Sequence, residues 1–170
     1  VAGMYIMLSK LGPLFFADTT INEEPTTEDI VKIARNVAEA VRRINIKPKV
    51  ALLSYSNFGS HKGATPTKMH EATLMLKKLQ PDLVVDGEMQ ANFALDNSIL
   101  EEVFPFSDLV GNRPNIFIFP DLGASNIAYK MLQGFGSAEA IGPMLIGLKK
   151  SAHVLQMGSS VREIVNIATM

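Results

Sequence analysis

The chain has 170 residues, of which 47% are hydrophobic and 19% charged, so it carries enough apolar material for one folded domain with a sizeable core. Sixteen Lys and Arg against seventeen Asp and Glu give a formal net charge of -1, and no run of four basic residues occurs, which argues against nucleic acid as a partner. Cysteine is absent, which excludes disulfides, thiolate metal sites and a cysteine nucleophile.

In the first half of the chain, short apolar runs alternate with a helical pattern. The predicted elements are strands over residues 5–8 and 14–17, a helix over residues 27–45, a strand over residues 50–53 and a helix from Thr65-Pro66 to Pro81. The first of these helices has the strongest pattern, because apolar side chains recur every three to four positions and Thr26 precedes it as an N-cap residue.

The second half continues the alternation. Its predicted elements are strands over residues 83–85 and 116–119, a helix over residues 125–133 and a last helix from about Ser160. Strands that alternate with helices along the whole length predict an α/β fold. We expect three layers, with a mostly parallel sheet and helices on both of its faces.

The longest apolar stretches, such as residues 140–148, are short and are interrupted by glycine and proline. The sequence therefore predicts a cytoplasmic protein with no membrane partner. The chain begins with Val1 rather than Met and stops at Met170 within an apolar helical pattern, which indicates a piece of a longer polypeptide.

Three polar loops follow predicted strands, and ligands of parallel α/β sheets gather at the carboxyl ends of the strands. The first loop, residues 54–60, combines hydroxyls, an amide and a flexible glycine, which suit phosphate or carbonyl binding because they donate hydrogen bonds without carrying charge. Its candidate ligand contacts are Ser56, Asn57, Gly59 and Ser60. The alternative is a solvated connection between strand and helix.

The second and third loops, residues 86–90 and 120–126, carry charged side chains. Asp86 and Glu88 could act as acid and base or bind a metal, although exposed carboxylates without such a role are the commoner case. In the third loop Asn126 is a candidate ligand contact, and Lys130 one turn further on either reaches a phosphate or is solvated. The three histidines do not have metal-ligand spacing, and no metal site is predicted.

Five segments occur in the order that is typical of the phosphate acetyl/butyryltransferase family, and the chain resembles that family over almost its entire length. They are residues 14–19 (LFFADT), 51–60 (ALLSYSNFGS), 86–90 (DGEMQ), 119–130 (FPDLGASNIAYK) and 140–143 (AIGP). The Tyr-Ser-Asn-Phe-Gly-Ser form of the first loop most resembles the phosphotransacetylase-like domain at the C-terminal end of bacterial NADP-dependent malic enzymes.

The resemblance implies a two-part α/β domain that binds CoA or acetyl-CoA between its parts and that assembles into dimers or larger homo-oligomers. On this resemblance, residues 1–170 are the second half of such a domain. Residues 1–150 or so would form one α/β subdomain, and about residues 151–170 would begin a segment that returns to the missing subdomain.

Active members of the family carry a Ser-Arg-Gly segment and then an aspartate, which the resemblance aligns with Gln156, Met157 and Glu163. The family's serine and arginine position the acyl group and the phosphate, and the aspartate serves as a base. Neutral Gln156 and Met157 cannot replace the charge of a guanidinium, and Glu163 is one methylene longer than aspartate. The resemblance therefore implies altered ligand contacts at Gln156 and Met157, with Glu163 as the catalytic base only if the domain is active.

Three functions are compatible with this pattern. The favoured one is an acetyl-CoA-binding regulatory and oligomerisation domain, joined to an upstream malic enzyme domain that would hold NADP and a divalent metal. The alternative is a working phosphate acetyltransferase, with Glu163 as base and Ser159 or Ser160 in place of the missing hydroxyl. The third is a purely structural role in assembly.

Overall fold

A computed structural model describes residues 1–148, 152–155, 158, 161 and 164–165 of the chain. The strands are β1 (Ala2–Ser9), β2 (Gly12–Ala17), β3 (Lys49–Leu53), β4 (Val84–Met89), β5 (Ile116–Ile118), β6 (Ala138–Ile146) and β7 (Ala152–His153). The helices are α1 (Thr27–Arg43), α2 (Ala64–Leu79), α3 (Ala91–Leu95), α4 (Asn97–Val103) and α5 (Leu122–Gly134). Over these described residues, no helix is both long enough and apolar enough to cross a membrane.

The described strands form one seven-stranded sheet in the order β4-β3-β5-β2-β1-β6-β7. Strands β4, β3, β5 and β2 pair in parallel, whereas β1 pairs antiparallel with β2 and with β6, and β7 pairs antiparallel with β6. Strand β6 therefore points in the same direction as the four parallel strands. The predicted α/β class with a mostly parallel sheet is confirmed.

Alternate residues along the strands pack into two cores, one on each face of the sheet. Phe15 and Ile116 belong to the core that α1 and α2 cover. Their chain neighbours Phe16 and Phe117 point to the opposite face, where they join Tyr129 of α5 and residues of α3 and α4. Burial of side chains of this size stabilises the fold by about 1.5–3 kcal/mol each, so both faces contribute to stability. The predicted three-layer arrangement is confirmed.

Helix α1 begins where the sequence predicts because a capping box fixes its first turn. The Thr26 hydroxyl accepts a hydrogen bond from the Asp29 amide at 3.2 Å, and the Asp29 carboxylate accepts one from the Thr26 amide at 3.3 Å. Hydrogen bonds from the hydroxyl and the amide of Thr26 hold the pKa of Asp29 below its ordinary value. The helix ends at Arg43, two residues earlier than predicted, because Asn45 adopts a left-handed φ of 60°.

Several elements differ from the sequence-based prediction. Strand β4 continues through residues 86–89, which the sequence predicts as a loop, because their polar side chains find partners inside the fold. Helix α5 begins at Leu122 rather than at Ser125, because the Asp121 carboxylate accepts a hydrogen bond from the Ala124 amide at 2.7 Å and so caps the helix. Elements α3, α4, β6 and β7 are not predicted. Most of the helix predicted from Ser160 lies outside the described residues.

Candidate functional site

The carboxyl ends of β2, β3 and β5 lie side by side, since Ala17 and Leu52 both pair with Ile118. The segment that leaves β2, the connection from β5 to α5 and the first turns of α2 and α5 line a groove of about 760 Å³. It is lined by Glu23, Glu24, Ala64, Thr65, Lys68, Asp121, Leu122, Gly123, Asn126 and Ile127. This is the edge of the sheet at which ligands of parallel α/β proteins bind, and it is therefore the candidate site.

Asp18, directly after β2, organises the segment that leads to Glu23 and Glu24. Its buried carboxylate accepts hydrogen bonds from the amides of Gly3 (2.8 Å), Thr20 (2.9 Å), Ile21 (3.1 Å) and Asn22 (2.9 Å). The three donors of residues 20–22 fix a tight turn after β2, and the Gly3 amide ties this carboxylate to β1. As a result, the Glu23 carbonyl accepts a hydrogen bond from the Leu122 amide at 3.1 Å, which joins this segment to the start of α5.

The side chain of Glu88 in β4 holds the first loop in place. Its side chain is fully buried; one carboxylate oxygen accepts hydrogen bonds from the Ser56 hydroxyl at 2.9 Å and from the Gly59 amide at 2.7 Å. The other oxygen lies 3.2 Å from Nδ1 of His70 on α2. The interpretation of residues 86–90 as an exposed acidic loop is wrong, because this carboxylate serves as the internal acceptor for the loop.

The four candidate contacts of the first loop lie together and bond both to one another and to neighbouring residues. The Ser56 hydroxyl, fully buried, lies 3.1 Å from the Ser60 hydroxyl and accepts a hydrogen bond from the His61 amide at 3.0 Å. The Asn57 side-chain oxygen accepts one from the Gln90 amide at 2.8 Å. None of the four lines the groove, and their role as ligand contacts stays a prediction.

Asp86 is likewise buried and belongs to a structural ion-pair cluster. Its carboxylate bonds to Lys77 of α2 at 2.8 Å, to the Ser107 hydroxyl at 2.7 Å and to the Asp108 amide at 3.0 Å, and Lys77 also contacts the Asp108 carboxylate at 2.8 Å. Partial burial alone would lower the pKa of Lys77, but the hydrogen bonds and charges of Asp108 and Asp86 raise it above its ordinary value. This cluster ties α2 and β4 to the 107–108 segment.

The third loop contributes directly to the groove. Asp121 caps α5, and Asn126 lines the groove one turn later. The role of Asn126 as a ligand contact stays a prediction. Lys130 is exposed and does not line the groove. The sequence-based reasoning missed Lys68, which lines the groove from α2; its Nζ donates a hydrogen bond to the Pro120 carbonyl at 2.8 Å. That contact joins residues 52 positions apart, so no local pattern could have indicated it.

The remaining predicted site residues, Gln156, Met157 and Glu163, together with Ser159 and Ser160, lie outside the described residues. Within the described part of the chain, no three or more His, Asp or Glu side chains are grouped so that they could hold a metal ion. The groove therefore offers an ammonium, an amide and a hydroxyl as binding groups, with carboxylates on the segment that follows β2 and at the cap of α5.

The chain is similar to two kinds of curated protein. It is 41% identical over 166 residues to an NADP-dependent malic enzyme of Haemophilus influenzae, which takes in 98% of this chain and 22% of that one. It is 39% identical over 177 residues to a phosphate acetyltransferase of Clostridium acetobutylicum, which takes in all of this chain and 53% of that one. The chain thus spans about a fifth of the first relative and about half of the second.

The chain is also similar to solved structures of phosphotransacetylases. The EutD phosphotransacetylase from Staphylococcus aureus superposes with a TM-score of 0.92 at 32% identity, over 98% of this chain and 52% of that one. A phosphotransacetylase from Streptococcus pyogenes superposes with a TM-score of 0.91 at 39% identity, over 98% and 51%. All of residues 1–170 match the phosphate acetyl/butaryl transferase family, and the chain belongs to that family.

Proposed function

We propose that this chain is an acetyl-CoA-binding regulatory and oligomerisation domain within a larger malic enzyme. The upstream domain of that enzyme would oxidise malate to pyruvate and carbon dioxide with NADP and a divalent metal. The observation that carries the proposal is the pair Gln156 and Met157, which stands where the family resemblance expects serine and arginine. A family member without these groups would still bind an acyl-CoA through other residues but would lack the serine and arginine needed to transfer the acyl group.

The size of that loss follows from the chemistry of the missing side chain. Arginine offers a permanently charged, forked donor set to phosphate, whereas Met157 offers a thioether and Gln156 a neutral amide. Removal of a single stabilising donor from a transition state costs about 2.7–4 kcal/mol, which lowers the rate by 10²–10³. The loss of a full positive charge costs at least as much, so we expect negligible acyl transfer.

Ligand binding depends on other parts of the domain. The 760 Å³ groove carries the Lys68 ammonium and the Asn126 amide, both of which fit an anionic ligand with many hydrogen-bonding groups, such as a CoA ester. Relatives of both kinds have similar identities, so their names do not select between a regulatory domain and a transferase. The substitution at residues 156–157 is what favours the regulatory function.

The test uses the full-length polypeptide that contains this chain. Malate oxidation is measured while acetyl-CoA is titrated, and CoA without the acetyl group serves as the matched control. Allosteric coupling of about 1–3 kcal/mol predicts that acetyl-CoA shifts the half-saturating malate concentration or the maximal rate about fivefold or more. Calorimetric binding of acetyl-CoA without any change in malate oxidation would contradict the regulatory role.

Phosphate acetyltransferase activity is the second candidate, and Glu163, a carboxylate at the position of the family's base, favours it. A coupled assay that supplies acetyl phosphate and CoA separates the two functions. Turnover that disappears in Glu163→Gln would support the transferase. Absence of turnover in the wild-type protein would remove it.

A further inference from the structure

Among the described residues that line the groove, Lys68 is the one cation. The side chain is half-buried and lines the groove from α2, and its one described hydrogen bond goes to the neutral carbonyl of Pro120 at 2.8 Å. Among the described residues, no carboxylate forms an ion pair with it.

Lys77, nine residues later on the same helix, shows the usual alternative. It is also half-buried, and it contacts the carboxylates of Asp86 and Asp108 at 2.8 Å each. Buried charges in folded proteins are normally paired in this way, because an unpaired ammonium loses hydration without compensation. Unlike Lys77, Lys68 therefore keeps its charge available to a ligand in the groove.

The surroundings of Lys68 favour an anion with several oxygen atoms. An ammonium carries three donors, and the Pro120 carbonyl takes one of them, which leaves two for a ligand. Thr65, one turn earlier on α2, and Asn126 on α5 line the same groove and supply neutral hydrogen-bonding groups. A phosphate group has the charge and the acceptor oxygens that match this set.

The acidic side chains of the groove do not neutralise Lys68. Glu23 and Glu24 are exposed, so solvent and salt screen their charges. The Asp121 carboxylate accepts a hydrogen bond from the Ala124 amide at 2.7 Å and serves as the cap of α5. Among the described residues that line the groove, the cationic partner for an incoming phosphate is therefore Lys68 on α2.

We propose that Lys68 is the anion anchor of the groove and forms an ion pair with a phosphate group, either one belonging to CoA or free inorganic phosphate. The CoA form of this inference rests on the proposed function. The inorganic phosphate form does not, because it requires only that the groove accept an anion.

The experiment measures binding to the full-length protein by titration calorimetry with acetyl-CoA, with the 3′-dephospho form of acetyl-CoA and with inorganic phosphate. Lys68→Met removes the charge and keeps the apolar stem of the side chain, and Lys68→Arg keeps the charge. Lys78→Met, an exposed position on the same helix, is the control for an equal change of net charge. Melting temperatures of all variants show whether they fold.

We expect Lys68→Met to weaken the phosphate-bearing ligand about tenfold or more, with Lys68→Arg and Lys78→Met within about threefold of wild type. A loss confined to acetyl-CoA assigns the 3′-phosphate, an equal loss for both CoA forms assigns the pyrophosphate, and a loss confined to inorganic phosphate assigns the free anion. Folded Lys68→Met that binds all ligands within twofold of wild type overturns the inference. Wild-type binding of phosphate but not of acetyl-CoA refutes the proposed function alone, and wild-type binding of no ligand overturns both.

Discussion

The substitution Glu88→Gln tests whether a buried carboxylate holds the first loop in position. The glutamine keeps the volume of the side chain but removes the charge that the Ser56 hydroxyl and the Gly59 amide contact at 2.9 and 2.7 Å. Hydrogen bonds to charged groups contribute about 1.5–3 kcal/mol each, and a neutral amide oxygen retains part of that. We therefore expect a local loss of about 2 kcal/mol, equivalent to roughly thirtyfold faster exchange of the Gly59 amide.

Hydrogen exchange with single-residue resolution measures this effect directly. The Phe58 amide is an internal reference, because it donates to the main-chain carbonyl of Glu88 at 2.8 Å, an acceptor that the substitution leaves in place. Glu101→Gln, an exposed position on α4, controls for the change of charge. Gly59 exchange within twofold of wild type in Glu88→Gln would refute the assignment of Glu88 as the acceptor that fixes the loop.

Three further variants test the ion pair at Asp86, the packing of β4 and the proposed loss of acyl transfer. Lys77→Met should lower the free energy of unfolding by about 1–2 kcal/mol at neutral pH, because it leaves the buried Asp86 carboxylate without its cation, although the partial exposure of Lys77 limits the effect. Folding raises the pKa of Lys77, so the stabilisation that its charge provides is complete below the ordinary pKa of 10.5 and is lost as pH rises through the folded-state pKa. The free energies of unfolding of wild type and Lys77→Met, measured with denaturant, should therefore converge above pH 10.5. A difference in free energy that stays constant with pH would contradict this. Gly87→Ala should destabilise the protein by about 2–5 kcal/mol in the same assay, because a Cβ would lie 2.7 Å from the Leu52 carbonyl oxygen at a φ of +151°, and an unchanged midpoint would show that β4 can shift to accommodate it. The double substitution Gln156→Ser and Met157→Arg should raise acetyl phosphate formation about 10²-fold or more if only these groups are missing, and no gain at all would place the defect elsewhere.

The elements with local signals are those that the sequence predicts well. Helix α1 carries its own capping box and an apolar face, so its start at Thr27 follows from residues within one turn. Strands β2 and β3 are short apolar runs, and such a run is the sequence pattern of a strand that is buried on both faces. Strand β6 is harder to predict from the sequence, because Gly142 and Pro143 interrupt its apolar pattern.

The site depends on contacts that join distant parts of the chain. Glu88 and Asp86 resemble surface carboxylates until the fold brings Ser56, 32 residues away, and Ser107, 21 residues away, within hydrogen-bond distance. Lys68 is one polar residue among several on α2, and only the β5–α5 connection shows that it faces the groove. The sequence therefore predicts that the first and third loops follow the carboxyl ends of strands, but it does not predict the side chains that hold these loops in place.

The most direct test of the central claim, that this domain holds an acyl-CoA without consuming it, is an equilibrium binding measurement in the presence of phosphate. The full-length protein is incubated with labelled acetyl-CoA and phosphate, and bound label and free acetyl phosphate are followed together over time. We expect saturable binding of intact acetyl-CoA while acetyl phosphate does not accumulate. Steady production of acetyl phosphate, or the absence of bound label, would contradict it.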